Sequence, residues 1–389
     1  MGRNEIFYSL GKIKEYIEKN NYEGFDPYDG LTSPIFRLPI FRSNKIIRFG
    51  SQQFVKRFPI NIRPFLFIQK GLNPVTIGLS LQAYSYLYKN NDTLRNEYLN
   101  KIKFLINELE GMSCEGFSNS CWGYDFDWEA RYAKIKANRP TVVATAIITN
   151  ALFLAYKVVN IKKAKKLVIS AADFVLNDLN IIWEDDCICF SYSPYDKQKV
   201  FNASIKGARI LIQAYSISGN KNYLKYATKA VKFVINNQAL NGSWYYSLNK
   251  NGKWVDNYHT GYILDCLYDY QTLSNDNSFN DNLSSGYTFY KNSFITKDGI
   301  PKFYHNKIFP IDCTAASQFI LTLTKFRDFD TAMKVSEWMI SNMQKKNGSF
   351  KFRKFKYYSI NTSFMRWSNA WMFASFSYLY CRLNESNIK

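Results

Sequence analysis

The sequence predicts an all-α protein, an (α/α)6 toroid in which six inner helices are ringed by six outer ones. Three observations carry that reading. Stretches rich in apolar and small residues recur at six near-regular starts, amphipathic charged helices alternate with them, and the segments that lead into each inner helix are long, aromatic and alike. Hydrophobic residues make up 47% of the chain and aromatics 17%, enough to fill a large core and still line a cleft, which excludes a disordered protein.

The inner stretches begin near residues 74 (PVTIGLSLQAYSYLY), 141 (TVVATAIITNALFLAYKVV), 203 (ASIKGARILIQAYSI), 258 (YHTGYILDCLYDYQTL), 313 (CTAASQFILTLTKF) and 365 (MRWSNAWMFASFSYLY). They are apolar nearly all round, with Ala, Gly, Ser and Thr interspersed, as suits helices buried on every side and closely approached. Helices with one apolar stripe are expected over 94–110, 162–179, 221–238, 279–294 and 329–345. That makes five outer helices for six inner ones. The amphipathic segment 5–20 supplies the sixth and closes the ring, so that 1–389 is expected as a single toroid domain. An open solenoid would instead need polar caps at both ends, whereas the last helix here is apolar and aromatic.

Turns from inner to outer helix are short, SGN at 218–220 and RDFD at 327–330. The return segments are long and repetitive: CWGYDFDW from 121, CFSYSPYD from 189, SWYYSLN from 243, PKFYHNK from 301 and SFKFRKF from 349. Each alternates like a short strand or hairpin. This arrangement gathers the long loops and all inner-helix N-termini on one face, and a ligand site is expected in that mouth. The free N–H groups there favour an anionic or hydroxyl-rich ligand.

Polar residues recur where these helices start, and Asn202, Asp256 or Asn257, and Asp312 fit as caps. His259, one of two histidines, stands beside Tyr258 and Asp256 and is a candidate general acid or base. His305 lies on a hairpin. Asp127, Asp256 and Asp312 are the candidate carboxylates for hydrolysis, and Tyr258 or His259 with Arg366 would suit proton abstraction beside a carboxylate. In CWGYDFDWEARY, acids interleave with indoles as sugar binding requires. This makes Trp122, Asp125 and Arg131 candidate ligand residues and places Asp125 and Asp127 on one side of a strand. Asp26 and Asp29, in a loop whose spacing is not that of a calcium-binding hand, are further candidates, as are Trp244, Arg366 and Trp367.

A formal charge of +20 would favour an anionic partner, but the lysines are scattered singly, which argues against a nucleic-acid footprint. The seven cysteines lack C-x-x-C spacing, so neither a disulfide framework nor a zinc site is indicated, and no metal or cofactor is expected. The charged N-terminus is not a signal peptide, and no stretch reaches the 18 to 20 uninterrupted apolar residues of a membrane span. A cytoplasmic location is expected.

Two resemblances accompany these readings. QALNGSWYY (238–246) and QKKNGSF (344–350) resemble the Q-x-x-x-G-x-W motif of squalene and other triterpene cyclases, and PIDCTAAS resembles part of their acidic motif, with Asp312 alone of its aspartates. The series GFDPYDGLTSP, CWGYDFDWEARY, PTVVATAIITNALF, FSYSPYD, VFNAS, GSWYY, VDNYHTGYILD, DGIPKFY, PIDCTAAS and FMRWSNAWMFAS resembles, over most of the chain, a family of six-hairpin toroid proteins. That family is encoded among glycosyltransferases in bacterial and archaeal surface-polysaccharide loci. The resemblance implies the toroid and a glycan or lipid-linked oligosaccharide as partner. The wider toroid class includes glycosidases, polysaccharide lyases and uronyl epimerases, so hydrolysis, epimerisation and elimination all stay open. So do a non-catalytic glycan-binding role and, with an apolar pocket around Asp312, a terpene cyclase.

Overall fold

The computed structural model describes residues 2–42, 44–129 and 134–386. In α1 (Arg3–Lys19), Ile6, Leu10, Ile13 and Ile17 recur at three- and four-residue spacing and are all buried. An arm, 20–73, follows with α2 (Pro39–Arg42) and α3 (Lys45–Arg57). Five inner and outer helices then alternate: α4 (Pro74–Asn90) and α5 (Arg95–Gly111), α6 (Val142–Val159) and α7 (Lys162–Asn177), α8 (Phe201–Ser218) and α9 (Lys221–Ile235), α10 (Asn257–Ser274) and α11 (Asn280–Ser293), α12 (Cys313–Lys325) and α13 (Phe329–Met343). The last inner helix begins as a π-helical stretch, Met365–Ala370, and continues as α14 (Trp371–Ser386).

The inner helices pack in cyclic order, α4 on α6, α6 on α8, α8 on α10, α10 on α12, α12 on α14 and α14 on α4. Helix α1 lies against α13 and α14 and reaches α5 through the Lys14–Glu97 and Glu18–Lys101 ion pairs. Burial follows composition. Every residue of α8 from Phe201 to Ala214 is buried, and Gly78 of α4 sits so near Ile148 of α6 that a Cβ would come within 2.9 Å of it. Helix α6 is apolar and long enough to cross a membrane by composition alone, with mean hydropathy 1.8. Its place between α4 and α8 accounts for that composition. In α9, by contrast, only one stripe is buried, through Tyr223, Ala227, Ala230, Val231 and Val234.

Small antiparallel hairpins occupy the return segments: β1 (Trp128–Glu129) with β2 (Lys134–Ile135), β3 (Ile181–Glu184) with β4 (Cys187–Phe190), and β5 (Ile311–Asp312) with β6 (Arg353–Lys354) and β7 (Ser359–Ile360). The expected strands at 243–249 and 301–307 are reduced, among the described residues, to single bridges such as Val200–Ser247 and Asp256–Tyr304.

More regular than the strands is a belt of backbone bonds. At or next to the head of each inner helix after α4, one N–H that has no partner inside the helix donates to the carbonyl of an aromatic residue in the next return segment: Val142 to Tyr192 (2.9 Å), Phe201 to Tyr246 (3.3 Å), Asn257 to Phe303 (2.9 Å) and Cys313 to Phe352 (3.1 Å). Met365 completes the series by donating to Phe25 of the arm (3.1 Å). At α4 a side chain substitutes, Asn73 Nδ2 donating to Asp125 Oδ1.

The Q-x-x-x-G repeats are junctions in this ring. Gln238 Nε2 donates to the carbonyls of Gly242 and Asn282, tying the end of α9 to α11. Gln344 likewise donates to the carbonyls of Gly348 and Ser9, tying the end of α13 to α1. Gly348 has φ +86°, and a Cβ there would lie 2.3 Å from the Lys12 carbonyl oxygen. Gly348→Ala is therefore expected to destabilise the protein by about 2 kcal/mol or more in chemical denaturation. An unchanged midpoint would mean that α1 is not seated on this turn.

Candidate active site

Four of the six inner-helix heads carry a side-chain cap: Asn73 on Val75 N–H, Thr141 on Ala144, Asp256 on His259 and Asp312 on Ala315. Asn202, expected as a cap, instead lies inside the first turn of α8, which starts at Phe201 without a side-chain cap. Asn257 is also inside its helix. Its Oδ1 accepts from Tyr290 Oη (2.7 Å) and its Nδ2 donates to the Lys302 carbonyl.

Asp256 does more than cap. Its Oδ1 accepts from the His259 N–H (3.0 Å), while Oδ2 lies 2.7 Å from His259 Nδ1 and accepts from Trp254 Nε1 (2.9 Å). The i, i+3 spacing puts carboxylate and imidazole on one face of the first turn. With Nδ1 held by a buried carboxylate, Nε2 on the opposite edge is the nitrogen left for a ligand. The histidine side chain is 17% exposed and sits among tyrosines, its ring centre 4.1 Å from Tyr258, 4.7 Å from Tyr246 and 6.2 Å from Tyr262. Burial holds the Tyr258 phenol well above its usual range, so it stays protonated near neutral pH.

Tyr258 links this pair to Trp367 of the π-helical stretch (5.8 Å, edge-on). Trp367 in turn meets Tyr28 of the arm at 5.5 Å, and its indole N–H points at Asp312 (3.2 Å). The mouth thus joins residues from the heads of α10, α12 and α14 with the arm. Asp312 is fully engaged, since Oδ2 also accepts from Arg353 Nε (2.5 Å) and Oδ1 caps α12. Arg366, expected to clamp a ligand anion, is gripped on both prongs by Asp26, Nε to Oδ2 at 2.6 Å and Nη2 to Oδ1 at 2.9 Å. Asp29 accepts from Arg63 Nε (2.8 Å). Asp26, Asp29, Arg366 and Asp312 therefore hold the mouth together and have their charges spent inside the protein.

Other expected residues lie elsewhere. Trp122 and Trp244 are buried in the core, their indoles donating to the carbonyls of Leu109 (2.7 Å) and Val234 (2.9 Å), so neither can stack on a ligand. Residues 125 and 126 form a bend rather than a strand. Asp125 accordingly meets Asn73, whereas Asp127 accepts from the Ala137 N–H (2.9 Å) and fixes the β1–β2 hairpin. Burial, helped by Asp26, pushes the Asp125 carboxyl up. Arg131 lies outside the described residues. His305 Nδ1 approaches the Val255 carbonyl at 3.3 Å, a structural contact.

Lys56 and Tyr28 are the mouth residues that sequence reading missed, Lys56 entirely and Tyr28 as a functional group. Lys56 Nζ donates to Tyr28 Oη (2.6 Å) and lies over the Tyr28 ring (3.9 Å). Burial, with Arg353 nearby, pushes this amine well below its ordinary range. No motif surrounds Lys56, and its place follows from α3 folding back over the mouth, where Arg48 pairs with Glu129 (2.8 Å) and Gln52 bonds the Glu129 backbone.

Below the tyrosines the ring encloses a cavity of about 370 Å³ that runs toward the other end of the inner helices, past Lys206 and Arg209 to Lys89 and Glu385. Tyr262 belongs to both places, so it separates the cavity from the His259 cluster. Lys206 stacks its ammonium on Tyr262 (3.6 Å), and burial, helped by Arg209, lowers it to about 7 from the ordinary 10.5.

No family model matches the chain, and no curated protein matches it significantly by sequence. Among solved structures it is similar to a polysaccharide lyase (TM-score 0.62, 10% identity, 100% of this chain and 99% of that one). It is also similar to cellobiose 2-epimerase from Bacillus thermoamylovorans (TM-score 0.60, 11% identity, 79% and 87%) and to a GH76 alpha-mannanase of Bacteroides thetaiotaomicron (TM-score 0.57, 13% identity, 81% and 86%). These similarities establish the (α/α)6 toroid.

Two outcomes test this description. Asp312→Asn leaves the half-buried Arg353 without its counter-charge and weakens the cap of α12, and is expected to cost about 2–3 kcal/mol in denaturant titration. A loss of activity at full stability would instead make Asp312 a chemical group. For Lys206, the unfolded chain binds the extra proton between about 7 and 10.5, so stability rises with pH across that window. Lys206→Met should therefore melt above the wild type at pH 6, with the gap narrowing as pH climbs past 7; a constant gap would contradict the burial argument.

Proposed function

We propose that this chain is a carbohydrate-active enzyme that moves a proton at a sugar carbon in its toroid mouth, with His259 as the base. The single observation that carries the proposal is the Asp256–His259 pair opening into a cage of tyrosines. Asp256 fixes the tautomer that leaves Nε2 with its lone pair and stabilises the imidazolium formed once the proton is taken. Tyr258, kept as a phenol by burial, is the hydrogen-bond donor for the oxygen on which negative charge develops.

In epimerisation the C–H bond breaks, its proton passes to His259 and its electron pair shifts onto the neighbouring carbonyl or carboxylate, and a proton from solvent water is delivered to the opposite face as that electron pair returns to carbon. In elimination the same pair expels the adjacent C–O group, which leaves with a proton from a phenol. Hydrolysis is less well supported, because Asp127, Asp256 and Asp312 are each committed to protein donors and no opposed pair of uncommitted carboxylates is found among these candidates. A terpene cyclase loses its acid for the same reason. The fold shared with an epimerase and a lyase, together with the family resemblance, supports a glycan or lipid-linked oligosaccharide of surface-polysaccharide synthesis as substrate.

The test is incubation in D2O with a panel of neutral and uronate-containing oligosaccharides, followed by NMR. Deuterium is expected at one sugar carbon, or a new double bond in the product. Hydrolysis products without deuterium at carbon would sink the reading, and binding without turnover would make the protein a glycan-binding module. His259→Gln should lower turnover by roughly 10²- to 10⁴-fold while melting as the wild type does. Wild-type turnover in that variant removes His259 from the mechanism.

A further inference from the structure

The arm has a surface unlike the rest of the molecule. Of the nineteen exposed large apolar side chains among the described residues, eight lie between Leu38 and Phe67. Ile46 is 80% exposed, Phe65 78%, Ile60 70% and Ile40 69%. Monomeric soluble proteins rarely leave such side chains concentrated in one short stretch, and concentrations of this kind mark interaction sites.

Helix α3 shows how the segment is arranged. Its inward face carries Gln52, Val55 and Lys56, which are buried against the mouth, while Ile46, Ile47 and Phe54 are exposed. The helix is therefore apolar where it has no protein to cover it. The charge of the arm is one-sided as well. From Ile35 to Lys70 there are eight basic residues and no acidic one, so this part of the arm carries a formal charge of +8 within the net +20. Arg48, Lys56 and Arg63 are spent inside the protein, but Arg57 and Lys70 are exposed beside the apolar side chains. Exposed Ile and Phe mixed with Lys and Arg, and free of acids, match the interface of an anionic lipid bilayer. There the rings and aliphatic chains enter the headgroup boundary and the cations meet lipid phosphates.

We infer that the arm, through α3 and the segment up to Phe67, docks this protein on an anionic membrane surface. Docked this way, α3 lies between the bilayer and the mouth, its outer face on the lipid and its inner face, with Lys56 on Tyr28, toward the site. The inference does not rest on the proposed chemistry, since it concerns a different surface and a different readout.

The experiment is flotation of the full chain with vesicles of phosphatidylcholine alone and of phosphatidylcholine with phosphatidylglycerol at 3:1. Binding is expected on the mixed vesicles and at least about tenfold less on the neutral ones, with further loss at high salt. The variant Ile46→Ser, Phe54→Ser, Phe65→Ser changes three exposed side chains, so its melting should match the wild type, and its affinity should fall by about 10²-fold. It keeps the full +20 charge. Unchanged binding by this variant would therefore mean that scattered lysines, not the arm, hold the membrane, and would overturn the inference. Failure of the wild type to float with mixed vesicles would overturn it too. So would a concentration-dependent dimer that the triple variant abolishes without any vesicle binding, which would assign the arm to a second copy of the chain.

Discussion

The structure depends on what happens to one backbone N–H at the head of each inner helix. Such groups have no partner within their own helix, and leaving them unpaired inside a protein would be costly. Here they are satisfied laterally, at α6, α8, α10 and α12 by the carbonyl of an aromatic residue in the next return segment and at the last inner helix by Phe25 of the arm, so that neighbouring helix pairs are stitched together at the mouth. The same residue that supplies the carbonyl supplies a ring. Two of these rings, Tyr246 on His259 and Phe303 on Tyr258, pack directly on the His259 cluster, so part of the mouth's aromatic character follows from the way the toroid is tied.

Closure uses the same device in its most charged form. Phe25 accepts from Met365 while its neighbour Asp26 takes both prongs of Arg366, so the start and end of the chain meet in a buried two-point ion pair. A buried pair of this kind adds little net stability over an apolar substitute, yet breaking it strands a charge, which makes it a strong constraint on register. The π-helical turn at 365–370 sits at this seam and aims Trp367 at Asp312 and Tyr258. Engagement of Arg366, Asp26, Asp312 and Arg353 with one another is also the reason the proposed chemistry is placed on the Asp256–His259 pair. There the carboxylate is spent, but the imidazole keeps one nitrogen.

The arm changes the meaning of the mouth. In a ring of helix pairs alone, the heads of the inner helices would open to solvent. Here residues 20–73 fold back so that Tyr28 and Lys56 pack on Trp367, and α3 presents a basic, apolar outer face. The surface that meets the outside and the side chains that meet the site thus belong to one segment, which couples whatever the arm touches to the geometry around Lys56.

Much of this was legible in sequence because it depends on periodicity. Apolar residues all round marked the inner helices within two residues of their observed starts, single stripes marked the outer ones, and the aromatic return segments marked the mouth. The Asp256–His259 contact was legible through the rarity of histidine and the i, i+3 spacing. The partners of the charged residues were not. Asp26 and Arg366 are separated by 340 positions and Asp312 and Arg353 by 41, and nothing local distinguishes an acid that will meet a ligand from one that will meet an arginine. The same limit applied to the indoles. Trp122 stands in a loop rich in acids and Trp244 beside two tyrosines, and only the packing of the outer helix ends decided that their N–H groups face the Leu109 and Val234 carbonyls. Sequence by itself determined which face of each helix is buried, because burial repeats with the helix period. Tertiary structure alone decided which polar groups neutralise one another, because those pairings form between elements whose spacing along the chain carries no period.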